Sequence, residues 1–197
     1  MKIEPKVLES AFVRLEPIGE QHRAGLEAAC NADQDVWTRL YPYSWAGEHF
    51  APTWAKLLDD NAKGGTQGYA VTVGGEVIGL TTFYAIDPAN AVLEVGGTYY
   101  RPDVRGGVVN PAAKRLMMGH AFDSGARRVV YRVDASNARS RAAVLKLGAV
   151  QEGILRQDRA TWTGRIRDTV IFSILAEEWP AVRQRLDERL AGLSVSA

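Results

Sequence analysis

One short stretch constrains this chain more than any other. Arg105-Gly106-Gly107-Val108-Val109-Asn110-Pro111 lies between an apolar strand over about residues 91–100 and a strongly periodic helix beginning near Asn110. Paired glycines let the backbone adopt conformations closed to other residues and approach a ligand closely. The first amides of the following helix have no intrahelical partner, so such a helix start attracts anions, phosphate above all. Asn110 suits the N-cap and Pro111 the first helical position, which places the boundary by two independent signals. Arg105 adds a donor fork that matches phosphate. An ordinary strand-to-helix turn also uses glycine for its geometry, and the rest of the chain must decide between the two.

Composition narrows the choice. A chain of 197 residues with 46% hydrophobic content suffices for one domain over 1–197, with a core over about 11–176 and a closing helix over about 177–191. A formal charge of +1 argues against a broad nucleic-acid or anionic-membrane surface. Any phosphate bound is then carried by a small molecule. The single cysteine, Cys30, cannot close an internal disulfide, and its helical surroundings read as a buried thiol. His22, His49 and His120 share no spacing, and no Cys/His cluster has zinc-ligand spacing, so no metal is expected. The N-terminus lacks a signal-peptide core and no apolar run approaches membrane-spanning length, which reads as a cytoplasmic protein.

The elements follow a definite order. A strand over 12–15 leads to a helix ending near Cys30, then short helices over about 33–40 and 48–63 within an aromatic-rich segment. Residues 69–73 and 77–84 flank Gly74-Gly75 as a hairpin, and a third strand over 92–100 feeds the glycine-rich turn. The periodic helix stops at Ser124-Gly125. A strand over 128–133, a helix from Ser136-Asn137 to Leu147, late strands over 154–156 and 170–175 around a turn at 163–165, and an amphipathic helix over 177–190 complete the chain. This is a mixed α/β (α+β) pattern: antiparallel strands before and after a βαβ-like centre.

This order, the Arg-Gly-Gly turn, and Asn137-Ala138-Arg139-Ser140-Arg141 followed by Lys146-Leu147-Gly148 resemble the GNAT superfamily of acetyl-CoA-dependent N-acetyltransferases. The stretches 152–156 and 164–169 are similar to its RimJ/RimL-type branch, whose characterised members acetylate terminal amines of ribosomal proteins. The resemblance covers nearly the whole chain. It implies the GNAT fold, a mixed central sheet with flanking helices whose adjacent parallel strands splay apart near residues 97–100 and 133–135. Acetyl-CoA would lie in that opening with its pyrophosphate on Arg105, Gly106, Gly107, Val108 and Asn110. One departure stands out: with Arg105 in the leading position, the two later glycines of the family pattern fall on Val108 and Asn110. Amide donation does not depend on side-chain identity, so anion binding tolerates the change.

Asn137, Ser140 and Val144 share one helical face, which the resemblance directs toward the pantetheine and thioester. Asn137 would bond the pantetheine amides, and Ser140 would donate to the departing thiolate, because the tyrosine many members use corresponds here to Val144. Alternatively Asn137 caps its helix and Ser140 merely allows close packing. An attacking amine must be neutral, and Glu94 is an acidic residue in an otherwise apolar strand where burial would raise its pKa toward that of a useful base. Strand alternation puts Glu94 on one face with Gly96 and Thr98. An exposed Glu94 would leave the task to a water chain or to an amine of low pKa. Backbone N–H groups near Thr98 and Tyr99 would polarise the acetyl carbonyl.

The resemblance implies an acceptor that would be a peptide N-terminus or a small amine. Trp37 and Tyr41, with Tyr43 and Trp45, fall where the resemblance places the acceptor-side helices, opposite the turn over 162–167, although such aromatics are also ordinary core residues. Arg156, Arg159 and Arg165 could instead serve succinyl or another short acyl group. A noncatalytic acyl-CoA sensor or assembly protein is the alternative outside enzyme chemistry. The closing helix, with Trp179, Val182, Leu186 and Leu190 on related faces, either packs on the domain or forms a homodimer seam.

Overall fold

The periodicities resolve into eight strands and six α-helices in the computed structural model, which describes residues 1–194. In chain order they are β1 (Leu8–Glu9), β2 (Arg14–Pro17), α1 (Arg23–Asn31), α2 (Asp35–Leu40), α3 (Phe50–Ala62), β3 (Gln67–Val73), β4 (Glu76–Asp87), β5 (Val92–Tyr100), α4 (Val109–Asp123), β6 (Arg128–Asp134), α5 (Ala138–Leu147), β7 (Val150–Ala160), β8 (Ile166–Leu175) and α6 (Trp179–Ser194). The strands form one mixed sheet in the order β1-β2-β3-β4-β5-β6-β8-β7. Only β5 and β6 run parallel, because α4 carries the chain back between them.

That parallel pair is short. Its ladder runs from Val92 opposite Arg128 to Glu94 opposite Val130 and then ends. Beyond it β5 stays bonded to β4 and β6 to β8, so the gap that opens has two supported walls. The strands thus part directly after Glu94 and Val130, earlier along the chain than the sequence suggests.

A bulge lies in the wall of the gap. On β4, Leu80 opposes Tyr99 while Thr82 opposes Gly96, so β5 carries an extra residue. Gly97 absorbs it at φ +54, a conformation that suits glycine. The bulge reverses the alternation of side chains. Leu93, Val95 and Tyr100 enter the core beneath α4, whereas Tyr99 joins the cluster on the other face. Thr98 is bonded to Lys114 of α4 and so lies opposite Glu94, not beside it as unbroken alternation predicts.

Each face of the sheet has its own core. On one, Leu15, Val71, Phe83, Val129 and Phe172 pack with Met117 and Met118 of α4 and with Trp179, Val182 and Leu186 of α6. On the other, Leu26 and Cys30 of α1, Trp37 of α2 and Phe50, Trp54 and Leu57 of α3 cover Leu80 and Tyr99. Each such side chain contributes about 1.5–3 kcal/mol by leaving water. The apolar side of α6 is therefore packed on the sheet's own core, including Leu190 at 9% exposure. The second face of β6, β8 and β7 is charged: Arg128 pairs with Glu152, which also accepts from Ser173 Oγ at 2.8 Å. Among the described residues no helix is long and apolar enough to cross a membrane.

Candidate active site

The cradle is built where β5 ends. A single 3-10 turn, Pro102–Val104, delivers the chain to Arg105, and α4 begins at Val109, one residue before the expected start. Val108, not Asn110, occupies the cap position, and no side chain caps the helix. Asn110 and Pro111 instead fall inside the first turn, where the missing N–H of proline leaves no bond unmade. The first helical bond runs from Ala112 N to Val108 O at 3.1 Å. Among the described residues, the amides of residues 106–110 donate to no protein acceptor. Gly106 sits at φ +85, and a Cβ added at Gly106 or Gly107 would meet nothing within 4 Å. Adjacent donors at the positive end of a helix, with open space before them, suit a pyrophosphate.

Arg105 is placed differently from its sequence expectation. Its Nη1 donates to Asp33 Oδ2 at 2.6 Å and its Nε to the Tyr100 carbonyl at 2.7 Å, with the guanidinium 5.2 Å from the Tyr99 ring centroid. The side chain is only 19% exposed. It acts as a strut tying the loop to β5 and to the turn after α1. It is not a free fork projecting into the cradle, and the exposed donors there are main-chain amides.

The bulge is held from both faces. Tyr41 Oη donates to the Thr98 carbonyl at 2.5 Å, and on the opposite face Lys114 Nζ donates to Thr98 Oγ1 at 2.7 Å, with Thr81 Oγ1 at 2.8 Å from the same hydroxyl. The Tyr99 phenol donates to Ala29 O at 2.9 Å. Trp37 is 1% exposed, donates its indole N–H to Cys30 O at 3.0 Å, and packs its ring on Tyr41 and Tyr99. A substrate-gripping role for Trp37 and Tyr41 does not fit these positions: the first is core and the second supports the bulge.

Glu94 lies on the face of β5 turned away from α4, its side chain 18% exposed and its Oε2 3.5 Å from Arg132 Nε. Burial pushes its carboxyl above the ordinary value, opposed by the charges of Arg132, Arg159 and Arg167. Tyr84 stands directly opposite on β4, and its hydroxyl is 2.8 Å from that of Tyr43. Burial raises both phenols. Gly97 lies close beneath them, where any Cβ would overlap the Tyr84 hydroxyl. The β7–β8 hairpin closes this side: Trp162 donates its backbone N–H to Pro42 O at 3.1 Å and its indole N–H to Trp37 O at 3.0 Å. The turn over 162–167 thus meets the aromatic segment.

The second helix of the gap is finished by its own side chains. Asn137 Oδ1 accepts from Ser140 N at 3.0 Å, so Asn137 is the N-cap of α5. Ser140 is half-buried in the first turn, and Val144 packs into the core. Before the helix, Asp134 Oδ1 accepts from Ser136 N at 2.9 Å, while its other oxygen meets Arg165. Burial pushes the Asp134 carboxyl up, but the bonds from Arg165 and Ser136 outweigh this and hold it below its ordinary value. A concavity of about 360 Å³ opens here, between Asp134, Ser136, Gln157, Arg165 and Asp168.

Sequence reasoning missed Lys114, Tyr84, Arg132 and Arg167. Only Lys114 left a usable signal, as a lysine in the buried stripe of α4 beside Ala113 and Met117. Among the described residues no group of His, Cys, Asp and Glu is placed to hold a metal ion.

Comparison with known proteins accords with this geometry. Residues 13–150 match the family described as the acetyltransferase (GNAT) domain. A GCN5-related N-acetyltransferase from Brucella melitensis superposes with a TM-score of 0.85 at 34% identity, covering 96% of this chain and 87% of that one. Mycobacterium smegmatis RimJ, solved in complex with CoA-disulfide, gives 0.83 at 23% identity over 96% of each chain. The acetyl transferase that modifies the N-terminal serine of 50S ribosomal subunit protein L7/L12 in Salmonella typhimurium gives 0.78 at 18% identity, over 86% of this chain and 99% of that one. At those identities the last two share the fold. No curated protein matches the chain. The family match over most of the sequence, the splayed parallel pair and the uncapped helix start agree: this chain belongs to the GNAT family of N-acetyltransferases.

Proposed function

We propose that this chain passes acetyl directly from acetyl-CoA to a primary amine, either a peptide N-terminus or a small molecule, with no acyl-enzyme. The observation that carries the reading is the run of free amides over 106–110 at the mouth of the gap between β5 and β6. These amides would hold the pyrophosphate, and the amide of Asn137 not used for capping would bond the pantetheine arm. Acetyl-CoA supplies the activated acyl group. Backbone N–H groups of Thr98 and Tyr99, on a segment fixed from both faces, would polarise its carbonyl. Glu94, raised by burial, would take the amine proton directly or through water, and Ser140 would donate to the departing sulfur. Two of the three arginines that succinyl transfer would call upon, Arg159 and Arg165, are already paired with Asp158 and Asp134, which leaves Arg156 alone to meet a second carboxylate and favours acetyl.

The test is calorimetric titration with acetyl-CoA, desulfo-CoA and succinyl-CoA, followed by thiol release across a panel of amines and short peptides. Micromolar binding, about −8 kcal/mol, and release stimulated by one amine class support the reading. Binding without amine-dependent release from any acceptor would leave a noncatalytic acyl-CoA binder. With an acceptor in hand, Glu94→Gln is expected to lower kcat roughly 100-fold at unchanged acetyl-CoA affinity. The carboxylate is the active form, so wild-type rate falls as pH drops through the raised Glu94 pKa, and the variant loses that limb. Stability runs the other way. A carboxyl raised by folding loses stability as pH rises, so Glu94→Gln is more stable than wild type at neutral pH, and the difference closes in acid.

A further inference from the structure

Lys114 stands in the second turn of α4, 6% exposed, in the row with Ala113, Met117, Met118 and Ala121 that packs on the sheet. Its Nζ donates to one neutral acceptor, Thr98 Oγ1 at 2.7 Å, and lies 5.8 Å from the centroid of the Tyr131 ring. From β6 the titratable group facing it is Tyr131; from β5 it meets Thr98, which does not titrate. Tyr100 and Tyr131, one on each diverging strand, belong to the same core, and their buried hydroxyls have no partner among the described residues. The charged groups Glu94 and Arg132 occupy the opposite face of the sheet. His120, farther along α4, is engaged with the Glu4 carbonyl.

An ammonium buried with one neutral acceptor and no carboxylate is strongly disfavoured, and such a group sheds its proton. Burial alone lowers Lys114, to about 7. The positive end of α4 acts in the same direction. That balance changes when an anion occupies the cradle, because Lys114 lies only about 7.5 Å along the helix axis from Val109. Two negative charges about 10 Å away, at an effective dielectric near 20, raise an amine by about two pKa units.

We propose that an acyl-CoA docking on residues 106–110 draws a proton from solvent onto Lys114 and turns its existing bond to Thr98 Oγ1 into a charge-assisted one, which tightens the hold on the Gly97 bulge in the wall of the gap. Lys114 is thus a positioning residue that couples cofactor binding to the shape of the acyl site. The inference rests on the acyl-CoA reading above.

The experiment is calorimetric titration of acetyl-CoA into the full chain at about pH 8, in phosphate and in Tris, whose ionisation enthalpies differ. At that pH an amine of pKa about 7 is roughly nine-tenths deprotonated, so the buffer dependence should report uptake of about 0.5–1 proton. Lys114→Met and Lys114→Gln should bind with uptake near zero, and both should melt higher than wild type at neutral pH. Binding with no uptake by wild type, or with equal uptake by the variants, overturns this proposal alone. No binding by folded wild type overturns the acyl-CoA reading and this proposal with it.

Discussion

Two helices begin at the open end of the parallel pair, one after each strand, and they are finished in opposite ways. The start of α5 is closed from within: Asn137 Oδ1 takes the Ser140 amide, Asp134 takes the amide and hydroxyl of Ser136, and Asn137 N reaches Asp134 O at 2.9 Å. Among the described residues, no side chain caps the start of α4 and none accepts from the amides ahead of it. Both helices carry the same macrodipole, so the dipole alone does not make an anion site. What suits the start of α4 to an anion is the omission of a cap, with the loop held open by other means. Here the opening is kept by Gly106 at positive φ and by the Arg105 strut.

The largest effect should come from filling the open cradle without disturbing the loop. Gly107 has room for a side chain and no positive φ, so Gly107→Val should fold with its melting temperature nearly unchanged. Its isopropyl group would occupy the space where an anion approaches the amides. Acetyl-CoA affinity should fall about 10- to 100-fold by calorimetry, a loss of roughly 1.4–2.7 kcal/mol. Unchanged affinity would place the phosphates elsewhere and remove the functional contrast between the two helix starts.

A smaller effect should follow from loosening the strut. Asp33→Ala removes the carboxylate that holds Arg105 Nη1 and leaves a half-buried guanidinium short of a partner. Loss of a charge-assisted bond of this kind costs about 1.5–3 kcal/mol of stability, less whatever water restores. Denaturant unfolding should show that loss, with acetyl-CoA affinity reduced only a few-fold. Tighter binding by Asp33→Ala would instead mean that the released Arg105 reaches the phosphate, as its sequence position suggests.

Most of the frame was legible in the sequence because its signals are local. The strand over Val92–Tyr100 and the helix after it were set by apolar periodicity and by turn residues adjacent in the chain. What the sequence hid depended on distant partners. Arg105 reads as a phosphate fork until Asp33, 72 residues away, is found beside it. Counting alternation straight through Gly96-Gly97 puts Thr98 beside Glu94, since nothing in two consecutive glycines says which one takes the bulge. The late strands, β7 and β8, run well beyond the apolar segments that announced them, because one face of that half of the sheet is charged and does not alternate visibly. Trp37 and Tyr41 read as residues that grip a substrate, and only their packing reveals that they support β5.

The smallest cost to folding concerns the closed helix start, and it requires two substitutions at one position. Asn137 serves α5 through Oδ1, while its amide nitrogen is the group proposed to meet the pantetheine arm. Asn137→Ala removes both functions: loss of the cap should cost about 1 kcal/mol of stability, and loss of one neutral hydrogen bond should weaken acetyl-CoA by about three- to tenfold. Asn137→Asp keeps a good capping oxygen at the positive helix end but has no hydrogen to donate, so stability should hold while the affinity loss persists. A variant pair that differs in melting temperature yet shares a weakened affinity would show that the closed helix start also serves the ligand, through a side chain where α4 uses its backbone. If neither variant binds acetyl-CoA more weakly, Asn137 is a cap and nothing more, and the division between an open helix start that binds and a closed one that only folds is complete.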